Sequence, residues 1–182
     1  MNKKVHLIIR ILAAVLAITW MFRIFSFSSD EASVSGTVSR SMSYNLMEKI
    51  SRHLHLGWDE DRIEAVSKPV EKYLRKAAHM YEYAVLAFLW GVALDSFGIG
   101  MRLKDQEGMK SPPRDVRAWS RSLLPLLICL AYASSDEIHQ TFVEGRSGEV
   151  RDVMLDTCGA VIGLVFGLFV TRIAFKFFRK RS

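Results

Sequence analysis

Long apolar runs, separated by charged segments, constrain this 182-residue chain more than any other feature of its sequence. A soluble core would scatter its apolar positions along amphipathic elements, whereas these runs are continuous. Each run has about the 20 residues that a helix needs to cross a hydrocarbon core, where unpaired backbone groups find no water. The sequence therefore predicts one all-α integral membrane domain over residues 1–182, with four spans at about 5–25, 77–97, 123–142 and 153–170.

The basic residues predict the orientation of these spans. Outside the first long loop most of them gather in three groups, namely residues 3–10, 102–121 and 172–181. Lys and Arg concentrate on the cytoplasmic side of a membrane, so both termini and the middle loop are expected there. Because the basic groups flank apolar runs, the net charge of +6 does not indicate a nucleic-acid partner. Membrane lipids are the expected surroundings, and the sequence indicates no oligomeric state.

The first span and the loop after it carry more detailed expectations. Lys3 and Lys4 precede an apolar run that is long for a secretory signal and lacks a small-residue cleavage site, so we expect a retained anchor. His6 and Arg10 are expected to reach toward the inner surface. Residues 26–43 are rich in serine and predicted to be irregular. Stripes of apolar residues over 42–50 and 63–74 predict short helices that lie on the membrane surface, on its extracytoplasmic side. A kink is expected in the second of them at Pro69.

The two cysteines lie in different spans. Cys129 belongs to the third and Cys158 to the fourth, at unequal depths in the predicted topology. A disulfide between them is therefore not expected, and both are interpreted as small core residues.

Polar side chains fall at the same end of all four predicted spans. Four are candidate catalytic residues: His79, Glu82, Asp136 and His139. Eight more are candidate binding residues: Ser28, Ser29, Tyr83, Glu137, Gln140, Arg146, Asp152 and Asp156. An ionisable side chain that faces lipid costs at least about 2.5–3.5 kcal/mol, so several such groups are expected to turn inward, pair or line a pocket.

Helix geometry places these groups more closely. At a rise of about 1.5 Å per residue, Glu82 lies about 8–9 Å below the outer edge of its span, and Asp136 lies at a similar depth. His79 and Glu82 are three residues apart, as are Asp136 and His139, so each pair shares a helix face. Two carboxylates at matching depth on neighbouring helices are thus predicted to share an outward-facing cavity.

Purely structural interpretations compete at most of these positions. His79 and Tyr83 are compatible with an interfacial belt, and the residues from Asp136 to His139 with a structural polar network. Arg146 with Asp152 is compatible with a loop ion pair. The serines after Phe25 are compatible with an ordinary loop.

For two further features, a structural interpretation is at least as well supported as a functional one. Asp156 suits the N-cap of the fourth helix, because an acidic side chain stabilises a helix N-terminus. Gly159, Gly163 and Gly167 form a stripe of small residues, which favours helix packing over ligand contact.

Two segments of this sequence resemble the VanZ-like family. They are residues 76–83, Lys-Ala-Ala-His-Met-Tyr-Glu-Tyr, and residues 135–148, which begin Ser-Asp-Glu-Ile-His-Gln. Phe27 to Ser29 and Asp152 to Ala160 fit the family's first and last motifs, and Glu144 departs from its usual proline. The resemblance covers about residues 18–167. It implies a multi-pass protein of the bacterial cytoplasmic membrane, in a family whose founding member is associated with resistance to the glycopeptide teicoplanin.

The resemblance implies no reaction, so several functions stay open. One is action on, or binding of, an envelope lipid or lipid-linked precursor, with His139 or His79 as acid or base and Arg146 on an anionic head group. Another is a non-enzymatic protein that binds antibiotics or shields the cell surface from them. Transport is not favoured, because the cytoplasmic halves of the spans lack matching polar groups. The sequence identifies no cofactor and we assign no metal ligand, although carboxylate and imidazole three residues apart also occur in di-metal helix bundles.

Overall fold

The computed structural model describes residues 3–29, 32–97, 114–143 and 148–179. These residues form five helices and no strand: α1 (Lys3–Ser29), α2 (Ala32–His53), α3 (Glu60–Ala93), α4 (Arg114–Gln140) and α5 (Val150–Arg179). The predicted all-α class is confirmed.

Helix α3 is the central element of the bundle. The other four helices all pack against it. The core where they meet contains many small residues, which let helix axes approach closely. Its buried members are Ala17, Ile24, Tyr83, Leu86, Ala87, Phe97, Cys129, Ala133, Ala160 and Leu164. Cys129 is buried here, as expected of a small core residue. Cys158 is exposed, so the interpretation of it as a core residue was wrong, and both cysteines are free thiols.

The glycine stripe of α5 is the closest contact with α3. A Cβ atom on Gly159 would collide with the backbone of Met80, and one on Gly163 would collide with the backbone of Ala84. A Cβ on Gly167 would meet the ring of Phe97. The stripe therefore serves helix packing, as the sequence favoured.

Two of the described helices are long and apolar enough to cross a membrane, namely Lys4–Ser29 in α1 and Val150–Ile173 in α5. Both leave large apolar side chains exposed, a surface that is unusual in water and suited to lipid. The predicted second and third spans lie in α3 and α4, whose polar residues near His79 and His139 reduce their apolar content. The fold thus has the character of a membrane protein, with two helices among the described residues that are long and apolar enough to span a bilayer.

The first loop is more helical than predicted. The irregular segment expected over 26–43 was wrong, because α1 continues to Ser29 and α2 begins at Ala32. The second short helix is also not separate. It is the first half of α3, which continues through Pro69 into the predicted second span. Asp59 starts α3 as its N-cap, accepting a hydrogen bond of 2.9 Å from the backbone N–H of Arg62.

The basic residues near the start of α1 have specific partners at the far end of α3. Arg10 Nε donates a hydrogen bond of 2.8 Å to the carbonyl oxygen of Ala93, the last residue of α3. His6 Nε2 lies 3.4 Å from Asp95 Oδ1. A cation at a helix C-terminus is favourable, because the last carbonyl groups carry partial negative charge. These contacts join α1 to α3 at the end opposite the predicted site.

Candidate functional site

The candidate residues of four helices meet at one end of the bundle. This end contains the C-termini of α1 and α4, the middle of α3 and the N-terminus of α5. Three polar contacts connect these parts: Ser29 with His139, Lys76 with Asp152, and Glu137 with the backbone of Glu149. The sequence predicted that these segments would share one end, and the contacts connect them there.

His139 lies on the side of α4 that faces α1. Its Nε2 and Ser29 Oγ share a hydrogen bond of 3.3 Å, and its ring centroid is 4.7 Å from that of Phe25. Ser29 is exposed and His139 is half-buried. The imidazole is therefore oriented by α1 and remains open to the surroundings, which suits exchange of a proton with a bound molecule.

His79 and Glu82 form a second pair on α3. Nδ1 of His79 lies 3.9 Å from Oε2 of Glu82, and both side chains are partly exposed. The indole Nε1 of Trp20 donates a hydrogen bond of 3.0 Å to the backbone carbonyl of Glu82. This bond fixes α3 against α1 at the level of the pair.

Arg23 of α1 is a site neighbour that the sequence analysis missed. Its guanidinium carbon lies 4.4 Å from the ring centroid of Trp20 and 5.3 Å from that of Phe27. The same group is close enough to Glu82 for electrostatic attraction. An arginine inside a predicted span was the available signal, because such a residue usually has a partner or a function.

Beside the partly exposed pairs is a group of buried polar side chains. Tyr83, Asp136 and Asp156 are 0%, 3% and 2% exposed. Asp136 Oδ2 accepts a hydrogen bond of 3.0 Å from Gln140 Nε2. The Tyr83 hydroxyl, Asp136 Oδ1 and Asp156 Oδ1 have no hydrogen-bond partner among the described residues, and Ser28 Oγ shares that condition. We call these four oxygens the inner oxygens.

The inner oxygens are unusual in their number and position. Most buried polar atoms in folded proteins have a partner, and each exception calls for a reason such as a bound ion or molecule. Tyr83 lies close enough to Asp136 and Asp156 to interact electrostatically with both, and the two carboxylates interact with each other. Among the described residues, one further buried side-chain atom lacks a hydrogen-bond partner. It is Trp90 Nε1, near the other end of α3.

Two further predicted binding residues, Glu137 and Asp152, have structural partners. Glu137 Oε2 accepts a hydrogen bond of 2.7 Å from the backbone N–H of Glu149, which fixes the connection from α4 to α5. Asp152 forms an ion pair of 2.7 Å with Lys76. Arg146, the alternative partner considered for Asp152, and Glu144 lie outside the described residues.

Asp156 does not N-cap α5. The helix begins at Val150, so Asp156 is in its second turn and turns into the bundle. The capping interpretation was wrong because the sequence did not reveal that the helix starts six residues earlier. The serines after Phe25 are likewise part of α1 and not of a loop.

The two pairs of carboxylate and imidazole, Asp136 with His139 and His79 with Glu82, are not brought together as a di-metal site in the described part of the chain. No group of three or more His, Cys, Asp or Glu side chains is arranged there to hold a metal ion. Asp136 and His139, which share a spacing seen in di-metal bundles, have different neighbours: Gln140 for the first, and Phe25 with Ser29 for the second.

Comparison with known proteins gives one result. The family model described as VanZ/LLP1 matches residues 13–171, which is most of the chain and includes every helix that contributes to the site. Searches of curated proteins and of solved structures each found no significant match.

Proposed function

Because the chain belongs to the VanZ/LLP1 family, we propose that it is a multi-pass protein of the bacterial cytoplasmic membrane with four spans and both termini inside. The apolar helices α1 and α5 support a membrane location. Helix α3 packs against both of them, and α4 packs against α1, α3 and α5, so a bundle that crosses with α1 and α5 would include all four.

The length of α3 fits this topology. Its 34 residues extend about 51 Å, well beyond a hydrocarbon core of about 30 Å. The first half, residues 60–76, would then project outside the membrane with α2 packed along it. The second half, from 77 onward, would form the span. The polar side chains discussed above would lie in the outer part of the bilayer.

We expect single-cysteine labelling to verify this topology. In a background with Cys129→Ala and Cys158→Ala, a membrane-impermeant maleimide should label Lys68→Cys in intact cells. Ser182→Cys and Lys110→Cys should react only after the cells are permeabilised, because the basic tail and middle loop are assigned to the cytoplasm. Labelling of Ser182→Cys in intact cells would place the C-terminus outside and would contradict the proposal.

The function that the site supports best is recognition of an envelope lipid or lipid-linked precursor through an outward-facing polar pocket. One observation supports this proposal: two partly exposed pairs, Ser29 with His139 and His79 with Glu82, share one end of the bundle with the inner oxygens. Helices α1 and α5 of this bundle are apolar enough to cross a membrane. Groups at this depth are reachable by a head group and remain near its acyl chains. A water-soluble ligand would have no reason to be met inside the bilayer.

The partly exposed residues would make different kinds of contact with a ligand. His139 and His79 can donate or accept a proton near neutral pH, and Glu82 would orient His79. Arg23 offers a cation beside Glu82, and its planar guanidinium suits phosphate or carboxylate. Arg146 would add a second cation from the loop between α4 and α5. The proposal is thus recognition of a head group with an anionic part and exchangeable protons.

Lipid profiling of a deletion strain tests this function. The strain is complemented with the wild type, His139→Ala, Glu82→Gln or the control Glu64→Gln. Glu64 lies on the same helix as Glu82 but is exposed and pairs with Lys68 at 3.1 Å, outside the site. We expect the wild type and Glu64→Gln to restore the lipid and precursor profile, whereas His139→Ala and Glu82→Gln do not.

Mass spectrometry of the purified proteins provides the second readout. Loss of one charged contact should reduce the amount of co-purified lipid by about tenfold, the effect of about 1.4 kcal/mol. If His139→Ala and Glu82→Gln both complement fully and retain their lipid, the proposed site is wrong. A change in teicoplanin susceptibility with an unchanged lipid profile would instead indicate the shielding function.

A further inference from the structure

The inner oxygens include two buried carboxylates, and the proposed lipid contacts do not balance their negative charge. Asp136 and Asp156 are almost fully buried, and neither forms an ion pair with a described basic residue. The other described charges that act on Asp156 are those of Glu137, Asp152 and Glu82, all acidic. A charged carboxylate that is buried without an ion-pair partner costs several kcal/mol, so these two groups are stabilised either by protonation or by a bound cation.

The hydroxyl of Tyr83 is the second observation that indicates a ligand. It is completely buried, it has no hydrogen-bond partner among the described residues, and it is close enough to both carboxylates to interact with them electrostatically. If the side chain served packing alone, phenylalanine would fill the same space without leaving a polar atom unsatisfied. Ser28 Oγ is also buried and unpartnered, so the four oxygens come from α1, α3, α4 and α5.

We propose that the inner oxygens bind one monovalent alkali cation, with Asp136, Asp156 and Tyr83 as its principal ligands and Ser28 as the fourth. Oxygen atoms from carboxylates and hydroxyls are the donors that hard cations prefer. Mg²⁺ usually keeps several waters, which atoms closed to solvent do not favour. One cation would connect helices α1, α3, α4 and α5.

The cation would stabilise the folded bundle independently of lipid. Its proposed ligands are buried side chains, whereas the proposed lipid contacts are partly exposed ones. Failure of the lipid experiments would therefore leave this inference untouched, and the reverse also holds. The measurement is made on purified full-length protein in a single detergent.

Thermal unfolding in different salts tests the cation site. The melting temperature is measured at constant ionic strength and pH in NaCl, KCl, LiCl or choline chloride. A cation at about 100 times its dissociation constant should raise the melting temperature by about 5 °C or more over choline. The preferred ion is the one that gives the largest shift at the lowest concentration. Equilibrium dialysis with radioactive ²²Na⁺ or the potassium analogue ⁸⁶Rb⁺ should then give one ion per chain.

Three variants and a control make the outcome specific. Asp156→Asn, Asp136→Asn and Tyr83→Phe should each lose most of the salt-specific shift, and Glu64→Gln should retain it. In choline, Asp156→Asn should melt no lower than the wild type, because it removes an uncompensated charge. If no alkali cation shifts the wild type and only pH does, the two carboxylates share a proton and the cation site is overturned. Equal shifts in wild type and Asp156→Asn would overturn it as well.

Discussion

Replacing Gly163 with alanine is expected to lower the free energy of unfolding by about 1–3 kcal/mol, although alanine is the better helix former. The added Cβ would meet the carbonyl group and Cα of Ala84, atoms of a helix backbone that cannot rotate away. Helices α3 and α5 would have to separate along their closest line of contact. Because α3 is the helix on which the other four pack, the displacement would disturb the whole bundle. Thermal or denaturant-induced unfolding in detergent measures the effect.

Gly36→Ala is the matched control for this prediction. Gly36 is also inside a helix, α2, but a Cβ there would make only an ordinary contact of 3.7 Å with Arg75. The same chemical change should therefore stabilise the protein by about 0.5–1 kcal/mol, the usual preference for alanine over glycine in a helix. Opposite signs at the two positions separate close packing from helix propensity. If Gly163→Ala also stabilises the protein, α3 and α5 do not approach as closely as described.

The course of the first loop could not be predicted from local sequence. Serine favours caps and turns over helix interiors, which made residues 26–43 look irregular. Helix α2 forms there because it packs along the first half of α3, and packing routinely overrides weak propensity. Small buried side chains at this contact, such as Ser43, Ser51 and Ser67, let the two helices lie close together. Only the pairing of the two segments, which no local pattern expresses, reveals this.

The candidate site was predicted more fully than the loop, for a physical reason. Polar residues inside apolar runs are costly, so their positions along the spans indicated which end of the bundle they share. Helix rise then predicted their depth in the membrane. The spacing could not predict which group each side chain contacts. Asp136 and His139 are three residues apart on one helix, yet Asp136 bonds to Gln140 and His139 to Ser29 of α1. The contact between Arg23 and Trp20 depends on rotamers within α1 and was equally hidden.

Tyr83→Phe is expected to stabilise the protein by about 1–3 kcal/mol in buffer free of alkali cations, while it weakens binding of the proposed alkali cation. The hydroxyl of Tyr83 is buried without a partner, so folding removes it from water and returns no hydrogen bond. Phenylalanine keeps the ring and its contact with Tyr132, whose centroid is 6.2 Å away. Denaturant-induced unfolding in choline chloride measures the difference.

Tyr132→Phe provides the comparison, because it removes the same atom from the neighbouring ring. The hydroxyl of Tyr132 donates a hydrogen bond of 2.6 Å to the carbonyl oxygen of Met21, so its loss should destabilise the protein by about 0.5–1.5 kcal/mol. The two substitutions should thus have opposite signs. Residues kept at a cost to stability are expected where binding needs them, and Tyr83 would meet that description. If Tyr83→Phe instead destabilises the protein as Tyr132→Phe does, its hydroxyl is satisfied within the folded chain and is not reserved for a ligand.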